Sequence, residues 1–136
     1  MFRKTMMGSV VVAGTAALAI TSGGAIASSS HKLNVRTSGG QSSGGGTKFR
    51  NVKAVGPPFG KCLIDVDFAP PVVHHLWHCP GGTFRAVFNA HINGDKVTAR
   101  PKLYGGKGRY KGISGTLRLT GSLSKNTTHM TGRVRY

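Results

Sequence analysis

Residues Gly105 to Gly115 read GGKGRYKGISG, and TLRLTGSL follows at once from Thr116 to Leu123. Five of the eleven residues in the first segment are glycine, a density typical of backbone that takes positive φ or approaches another chain segment closely. The second segment alternates apolar and polar residues, as a strand with one buried and one wet face does. Together they predict a tight turn that leads into a β-strand.

This glycine segment resembles the G-G-T-G-x-[FY]-x-G-A-x-G signature of the allene oxide cyclase and dirigent barrel family, which includes small secreted bacterial proteins. Lys107 and Ile113 stand where the signature has Thr and Ala. The resemblance covers the C-terminal third of the chain and implies an antiparallel β-barrel. Members of that family usually have a longer domain, which leaves room here for an incomplete barrel.

Alternation of apolar and polar residues recurs between residues 48 and 136, with no competing helical period. Pro101 indicates that the predicted strand that contains it lies at a sheet edge or at a bulge. Asn93-Gly94-Asp95 predicts a hairpin turn. The fold class is therefore all-β, and of the sandwich and the barrel the resemblance selects the barrel. The predicted inward residues are Cys62, Ile64, Val66 and Phe68; Phe84, Ala86, Phe88, Ala90 and Ile92; Val97, Ala99 and Leu103; Leu117, Leu119 and Leu123; and Met130, Val134 and Tyr136.

Residues 1–27 have the three parts of a secretory signal peptide. Arg3 and Lys4 precede an apolar run over residues 8–20, and Ala25-Ile-Ala27 matches an A-x-A cleavage site. The sequence therefore predicts a secreted, extracellular protein without a transmembrane segment after cleavage.

Residues 28–47 are rich in Ser and Gly. This composition buries too little apolar area to offset its ordering entropy, so we expect a disordered leader there and a β-barrel domain over residues 48–136. An incomplete barrel would have open edges, which the leader, Pro-containing strands or a second copy in a homodimer would cover.

The chain has two cysteines, Cys62 and Cys79. In an oxidising compartment they are expected to form one disulfide; the alternative is a reactive or metal-binding thiol.

Charge suggests the class of partner. Without Arg3 and Lys4 the chain keeps 17 of its 19 basic residues against three Asp and no Glu, a formal charge of +14. Such a charge attracts an anionic polymer or surface, namely nucleic acid, anionic lipid or a wall polymer. The plainer interpretation is that the charge only keeps the protein soluble.

Basic residues alternate with the apolar ones on the predicted strands, so they point outward if the apolar faces turn inward. Arg is suited to this role because its guanidinium binds phosphate through two parallel hydrogen bonds. Tyr104, Tyr110 and Lys111 near the glycine segment would add stacking. The predicted binding residues are Arg85, Arg100, Lys102, Arg118, Arg133, Arg135 and Tyr110.

The segment from His74 to Cys79 contains donors suited to zinc or copper. Because His74 and His75 would face opposite ways on a strand, no metal site is predicted. We instead expect the histidines in a loop after Pro70-Pro71, with Leu76 and Trp77 packed on the core.

Catalysis has little support in the sequence, and no cofactor is predicted. Asp65 and Asp67 share one strand face, but in so basic a domain they are expected to pair with Lys and Arg. Allene oxide cyclases and dirigent proteins use polar groups inside the barrel, whereas the inward residues predicted here include no Asp, Glu, His, Lys or Arg. The alternative function is an enzyme or carrier for a small apolar molecule held inside the barrel. An open cavity with a polar group inside would favour that alternative, and a filled interior would favour surface binding.

Overall fold

The computed structural model describes residues 29–43 and 47–136, where every regular element is a β-strand. None of these residues belongs to a helix long and apolar enough to cross a membrane. The signal peptide predicted at 1–27 lies outside the described residues. The strands are β1 (Ser30–Ser38), β2 (Gln41–Ser43), β3 (Lys48–Gly56), β4 (Gly60–Ala69), β5 (Val72–Cys79), β6 (Gly82–Asn89), β7 (His91–Asn93), β8 (Lys96–Ala99), β9 (Lys102–Gly108), β10 (Gly115–Ser122) and β11 (Thr127–Arg135).

Eight strand positions close into an antiparallel barrel. The order around the wall is β1, β3, β4, β5, β6, β9, β10 and β11, and β11 pairs back with β1. β8 and β9 pair with the same edge of β10 one after the other, so they share one position. The short strands β2 and β7 pair with β3 and β8 outside this circuit. The predicted all-β antiparallel barrel is confirmed, and its wall is closed.

The closing strand, β1, comes from the segment that was expected to be a disordered leader. β1 pairs with β11 along its whole length and with β3 at its end. Its inward residues Leu33, Val35 and Thr37 are buried, while the residues between them are exposed. The leader prediction is thus wrong for residues 30–38, because pairing with two neighbouring strands and burial of two aliphatic side chains offset the ordering entropy. It is also wrong for residues 41–43, which form β2 and pair with β3.

Inward and outward faces follow the predicted alternation on β4, β6, β10 and β11. Two predicted inward residues differ. Ile92 is exposed because β7 lies outside the closed wall, and Leu123 is exposed because it follows the end of β10. The predicted hairpin is present, since Asn93 pairs with Lys96 across a two-residue turn.

β5 replaces the loop that was expected after Pro70-Pro71. Val73, His75 and Trp77 are buried on its inner face, whereas His74 and His78 are exposed on the outer face. Each face of β5 carries both apolar and imidazole side chains, so the sequence shows no regular alternation of apolar and polar residues there. For that reason the histidines were expected in a loop. Only the full pairing with β4 and β6 reveals the strand.

The glycine segment covers the end of β9 and the start of β10, and residues 109–114 form the turn between these strands. Tyr110 of this turn contacts Phe59 and Phe84, which places the turn over one end of the barrel. Gly106 is in close contact with this turn, because a Cβ built there would lie 1.7 Å from the backbone oxygen of Tyr110. The side chain of Tyr110 is only 1% exposed, and its hydroxyl donates a 2.7 Å hydrogen bond to the carbonyl of Pro80. Burial raises the pKa of this hydroxyl.

Cys62 and Cys79 form the predicted disulfide, with their Cα atoms 4.4 Å apart. Leu63 pairs with His78 on β4 and β5, so the same register places the two cysteines directly opposite each other. The disulfide therefore ties together the ends of two neighbouring strands.

Candidate functional site

The six basic residues predicted to bind are all exposed. They lie on one continuous part of the wall, because β6, β9, β10 and β11 are consecutive neighbours. Arg85 is on β6, Lys102 on β9, Arg118 on β10, and Arg133 and Arg135 on β11; Arg100 lies in the short link between β8 and β9.

Tyr110 does not belong to this surface, so its predicted binding role is wrong. Its ring lies inside the barrel end and contacts Phe59, Phe84 and Tyr136. The two neighbours of Tyr110 in sequence, Arg109 and Lys111, are exposed, so nothing local indicates its burial; the glycines let the turn fold inward and bury the ring.

β1 adds basic residues that the sequence did not place. Lys32 pairs with Arg133 of β11, and Arg36 pairs with His129. Both side chains are exposed. They were missed because their segment was predicted to be disordered. We call the outward residues of β6, β9, β10, β11 and β1 the basic face; its Lys and Arg are Arg85, Lys102, Lys107, Arg118, Arg133, Arg135, Lys32 and Arg36.

The strands of the basic face carry no carboxylate. Asp65 and Asp67 lie on β4, which is four positions from β10 in either direction around the wall. Asp67 is 3.3 Å from the Nζ of Lys48 and 3.7 Å from a guanidinium nitrogen of Arg50, and Asp65 is 3.2 Å from His78. The aspartates on β4 therefore have local partners, and the basic charge on the opposite side is not neutralised within the barrel.

The third carboxylate, Asp95, lies in the turn between β7 and β8. Hydrogen bonds from Ser122 and then Ser124 lower its pKa, and the backbone N–H of Ser124 donates to it at 2.6 Å. Asp95 thus holds the end of β10 and faces no arginine of the basic face in any described ion pair.

The wall opens locally beside Pro101. Val87 pairs with Lys102, and His91 pairs with Thr98 in the same register, yet residues 88–90 and 99–101 between these pairs form no ladder with each other. The N–H of Ala90 donates to the carbonyl of Pro71, and the carbonyl of Pro101 accepts from the N–H of Leu117, so these backbone groups bond to the residue before β5 and to β10, and not across the gap. The result is an open cleft of about 580 Å³ on the outer surface. We call it the arginine cleft; its polar residues are Asn89, His91, Thr98, Arg100, Arg118 and Thr120.

The barrel interior is filled at one end and open at the other. At the filled end the rings of Phe59, Trp77, Phe84, Tyr110 and Tyr136 pack with centroids 4.9–6.0 Å apart. At the open end, which we call the barrel mouth, a cavity of about 140 Å³ remains. Its lining is mostly apolar and includes Phe49, Phe68, Val73, Phe88 and Leu119.

One ionisable side chain, His75, points into the barrel mouth, which corrects the expectation of an entirely apolar interior. His75 is 8% exposed and packs edge-on against Phe88 at 4.9 Å. Within the described residues its Nδ1 has no hydrogen-bond partner. Burial lowers its pKa to about 3, because the charged imidazolium would lose its hydration there; none of the described residues that line the cavity is charged. His75 is therefore neutral near pH 7. The sequence feature that could have placed His75 inside the barrel is its position two residues before Trp77, because residues two apart lie on the same face of a strand.

His75 should make folding sensitive to acid. The unfolded chain takes up a proton near pH 6.5, whereas the folded chain does so only near pH 3. Stability is therefore full above pH 6.5 and falls as the pH drops from 6.5 towards 3. The loss is about 1.4 kcal/mol per pH unit, or roughly 2 kcal/mol at pH 5. We expect His75→Leu to reduce the difference in unfolding free energy between pH 7.5 and pH 5 by that amount, measured by urea denaturation.

The matched control is His91→Gln, which removes an exposed imidazole and should leave the difference as in the wild type. An unchanged difference in His75→Leu would show that His75 is not buried as a neutral group.

The histidine-rich segment does not form a metal site in the structure. His75 and His74 face opposite sides of the wall, and Cys79 is bonded to Cys62. Across residues 29–43 and 47–136, no three His, Cys, Asp or Glu side chains come together as ligands.

Comparison of the chain with models of protein families, with curated proteins and with solved structures finds no match.

Proposed function

We propose that this protein is a secreted barrel whose basic face binds an anionic polymer or surface outside the cell. The observation that carries the proposal is the one-sided charge. Five neighbouring strands present eight exposed Lys and Arg side chains and no carboxylate. Such an arrangement on a rigid wall attracts a partner with repeated negative charge.

The charges of the basic face are not used to hold the fold together. All three salt bridges among the described residues involve Asp65 or Asp67 on the opposite side of the barrel. Within the part of the chain that the structure describes, the arginines of the face donate one side-chain hydrogen bond, a long one of 3.5 Å from Arg133 to Ser30. Neighbouring like charges on a sheet repel one another, so a bound polyanion would relieve that repulsion.

Extracellular location is part of the proposal. Its support is the predicted signal peptide at residues 1–27 and the disulfide between Cys62 and Cys79, since disulfides persist in oxidising compartments.

Binding should weaken steeply with salt, because each phosphate contact releases a counterion. We expect R118Q/R133Q/R135Q to lower affinity for double-stranded DNA, anionic vesicles or a wall polymer by at least about tenfold at low ionic strength. The slope of log affinity against log salt for DNA should fall by roughly 2 to 3. Binding is measured by titration of the purified exported protein at several salt concentrations.

The control is K48Q/K53Q/K61Q, which removes the same charge from exposed residues of β3 and β4 on the other side of the barrel. This control should change the affinity and the slope of log affinity against log salt less than R118Q/R133Q/R135Q does. Equal effects of the two triple variants would show that net charge acts without a defined face, and absence of polyanion binding even at low salt would refute the proposal.

A second candidate function is supported by the barrel mouth. Its apolar cavity contains one unpartnered polar group, the imidazole of His75, which suits a small apolar molecule that bears one hydrogen-bonding atom. This second candidate includes the proposal that the chain is a member of the allene oxide cyclase and dirigent barrel family. The glycine segment and the closed antiparallel barrel support that proposal. Binding at this site would be indifferent to salt and sensitive to Phe88 and Leu119, so the salt titration separates the two candidates.

A further inference from the structure

Two arginines of the wall lie side by side without an acidic neighbour. On β10, Thr116 pairs with Lys102 and Leu119 pairs with Ala99 in one unbroken register. The N–H of Leu117 also donates to the carbonyl of Pro101. Continuity of that register places Arg118 directly opposite Arg100. Like charges opposite each other on adjacent strands destabilise a sheet, and neither side chain takes part in a described ion pair.

Every polar side chain around these two arginines is able to donate hydrogen bonds. The register between β6 and β9 places Asn89 opposite Arg100. Two residues further along the strands, in the next outward row, Thr98 lies between His91 and Thr120. The arginine cleft is thus formed by two adjacent rows of outward side chains, with two guanidinium groups, an amide, two hydroxyls and an imidazole.

The cleft has little apolar surface. Among the described residues that line it, only Ala99 and Leu119 are apolar, and none is Phe, Tyr or Trp. It therefore lacks the large aromatic rings on which successive nucleic-acid bases stack, and it has no extended apolar surface for an acyl chain. Its volume of about 580 Å³ falls within the roughly 300–1,000 Å³ typical of small-molecule sites, which is more than a single anion needs.

We infer that the arginine cleft is a binding site for a phosphate group attached to a hydroxyl-rich carbon chain or ring, that is, a polyol phosphate or sugar phosphate. Arg100 and Arg118 hold the phosphate oxygens between them, and the amide and hydroxyls of Asn89, Thr98 and Thr120 bind the hydroxyl groups beside it. This inference rests on the proposed function and names the repeating unit that the basic face recognises: a polyol-phosphate polymer.

The test uses small probes so that it does not depend on polymer binding. ¹⁵N-labelled exported protein is titrated with glycerol 3-phosphate, with inorganic phosphate and with glycerol, and amide shifts are followed by NMR. We expect glycerol 3-phosphate to bind more tightly than inorganic phosphate by roughly threefold or more, and glycerol not to bind. The shifts should centre on residues 89–91, 98–100 and 118–120.

Variants of the cleft make the test specific. R118Q should weaken glycerol 3-phosphate binding by roughly tenfold or more, and R118K should restore only part of it because Lys cannot form the paired hydrogen bonds of a guanidinium. Thr120→Val should remove the advantage over inorganic phosphate without changing the charge. R85Q is the matched control, since it removes the same charge from the basic face outside the cleft, and should change affinity less than about twofold.

Titrations with polymers and lipid vesicles identify the larger molecule that carries the recognised phosphate group. Poly(glycerol phosphate) and phosphatidylglycerol vesicles both present glycerol phosphate, whereas phosphatidylserine vesicles and DNA do not. Preference for the polymer supports the inference as stated. Tighter binding to phosphatidylglycerol vesicles than to the polymer would mean that the cleft recognises a lipid headgroup and not a polymer. If glycerol 3-phosphate causes no shifts in the cleft, or R118Q and R85Q act alike, the inference is wrong even where the basic face binds every polyanion. If no polyanion binds, the proposed function fails independently of the probes.

Discussion

Gly106→Ala is expected to lower the free energy of unfolding by about 4 kcal/mol or more, enough to prevent folding of a small domain. A Cβ at this position would lie 1.7 Å from the backbone oxygen and 2.6 Å from the carbonyl carbon of Tyr110, and 2.9 Å from Ile113. The backbone cannot give way easily, because the ring of Tyr110 is buried and its hydroxyl is bonded to Pro80. The measurement is denaturant unfolding followed by Trp77 fluorescence.

Gly112→Ala is the matched control within the same turn. Gly112 has φ of +80°, and a Cβ there would have nothing within 4 Å. The expected cost is therefore only that of a side chain in the left-handed region, roughly 1–2 kcal/mol. If the two variants were equally stable, the turn would not pack against Gly106 as described.

Removal of the disulfide is expected to have the next largest effect. The bond closes a loop between residues 17 apart in sequence, and the loop-entropy relation gives about 3 kcal/mol for a loop of this size. For a domain of this length the melting temperature should fall on the order of 10–20 °C. Cys62→Ala with Cys79→Ala, measured by calorimetry, tests this expectation.

Reduced wild-type protein is the control for packing, because it lacks the bond but keeps both sulfur atoms. It should lose stability to a similar extent as the double Ala variant. Mass spectrometry without reductant should first find the native protein two protons lighter than the dithiol. Two free thiols in freshly secreted protein, or full stability after reduction, would contradict the expectation.

Local sequence signals were sufficient for much of the wall. Alternating residues predicted β6, β10 and β11 because each of these strands has one apolar and one polar face. The same alternation predicted that Arg85, Arg118 and Arg133 point outward. These features could be found because they depend only on neighbouring residues.

Three features depend on contacts that are distant in sequence, and they were missed for that reason. β1 is held by β11, with Leu33 opposite Gly132, whereas the composition of residues 28–47 indicates disorder. Tyr110 is buried by a turn that folds over the barrel end. The arginine cleft requires a register that continues past Pro101, and no pattern in the chain fixes that register. The cleft residues Asn89, His91, Thr98 and Thr120 were accordingly not predicted.

The pairing of β1 with β11 has a consequence for the order in which the protein folds. Ser30 pairs with Arg135, so the two strands that complete the circuit come from opposite ends of the described chain. Joining segments so far apart carries a large loop-closure entropy and favours slow, late formation. While residues 30–38 remain unpaired, β3 and β11 each keep an open edge. Pairing of residues 30–38 would then be the event that completes the barrel.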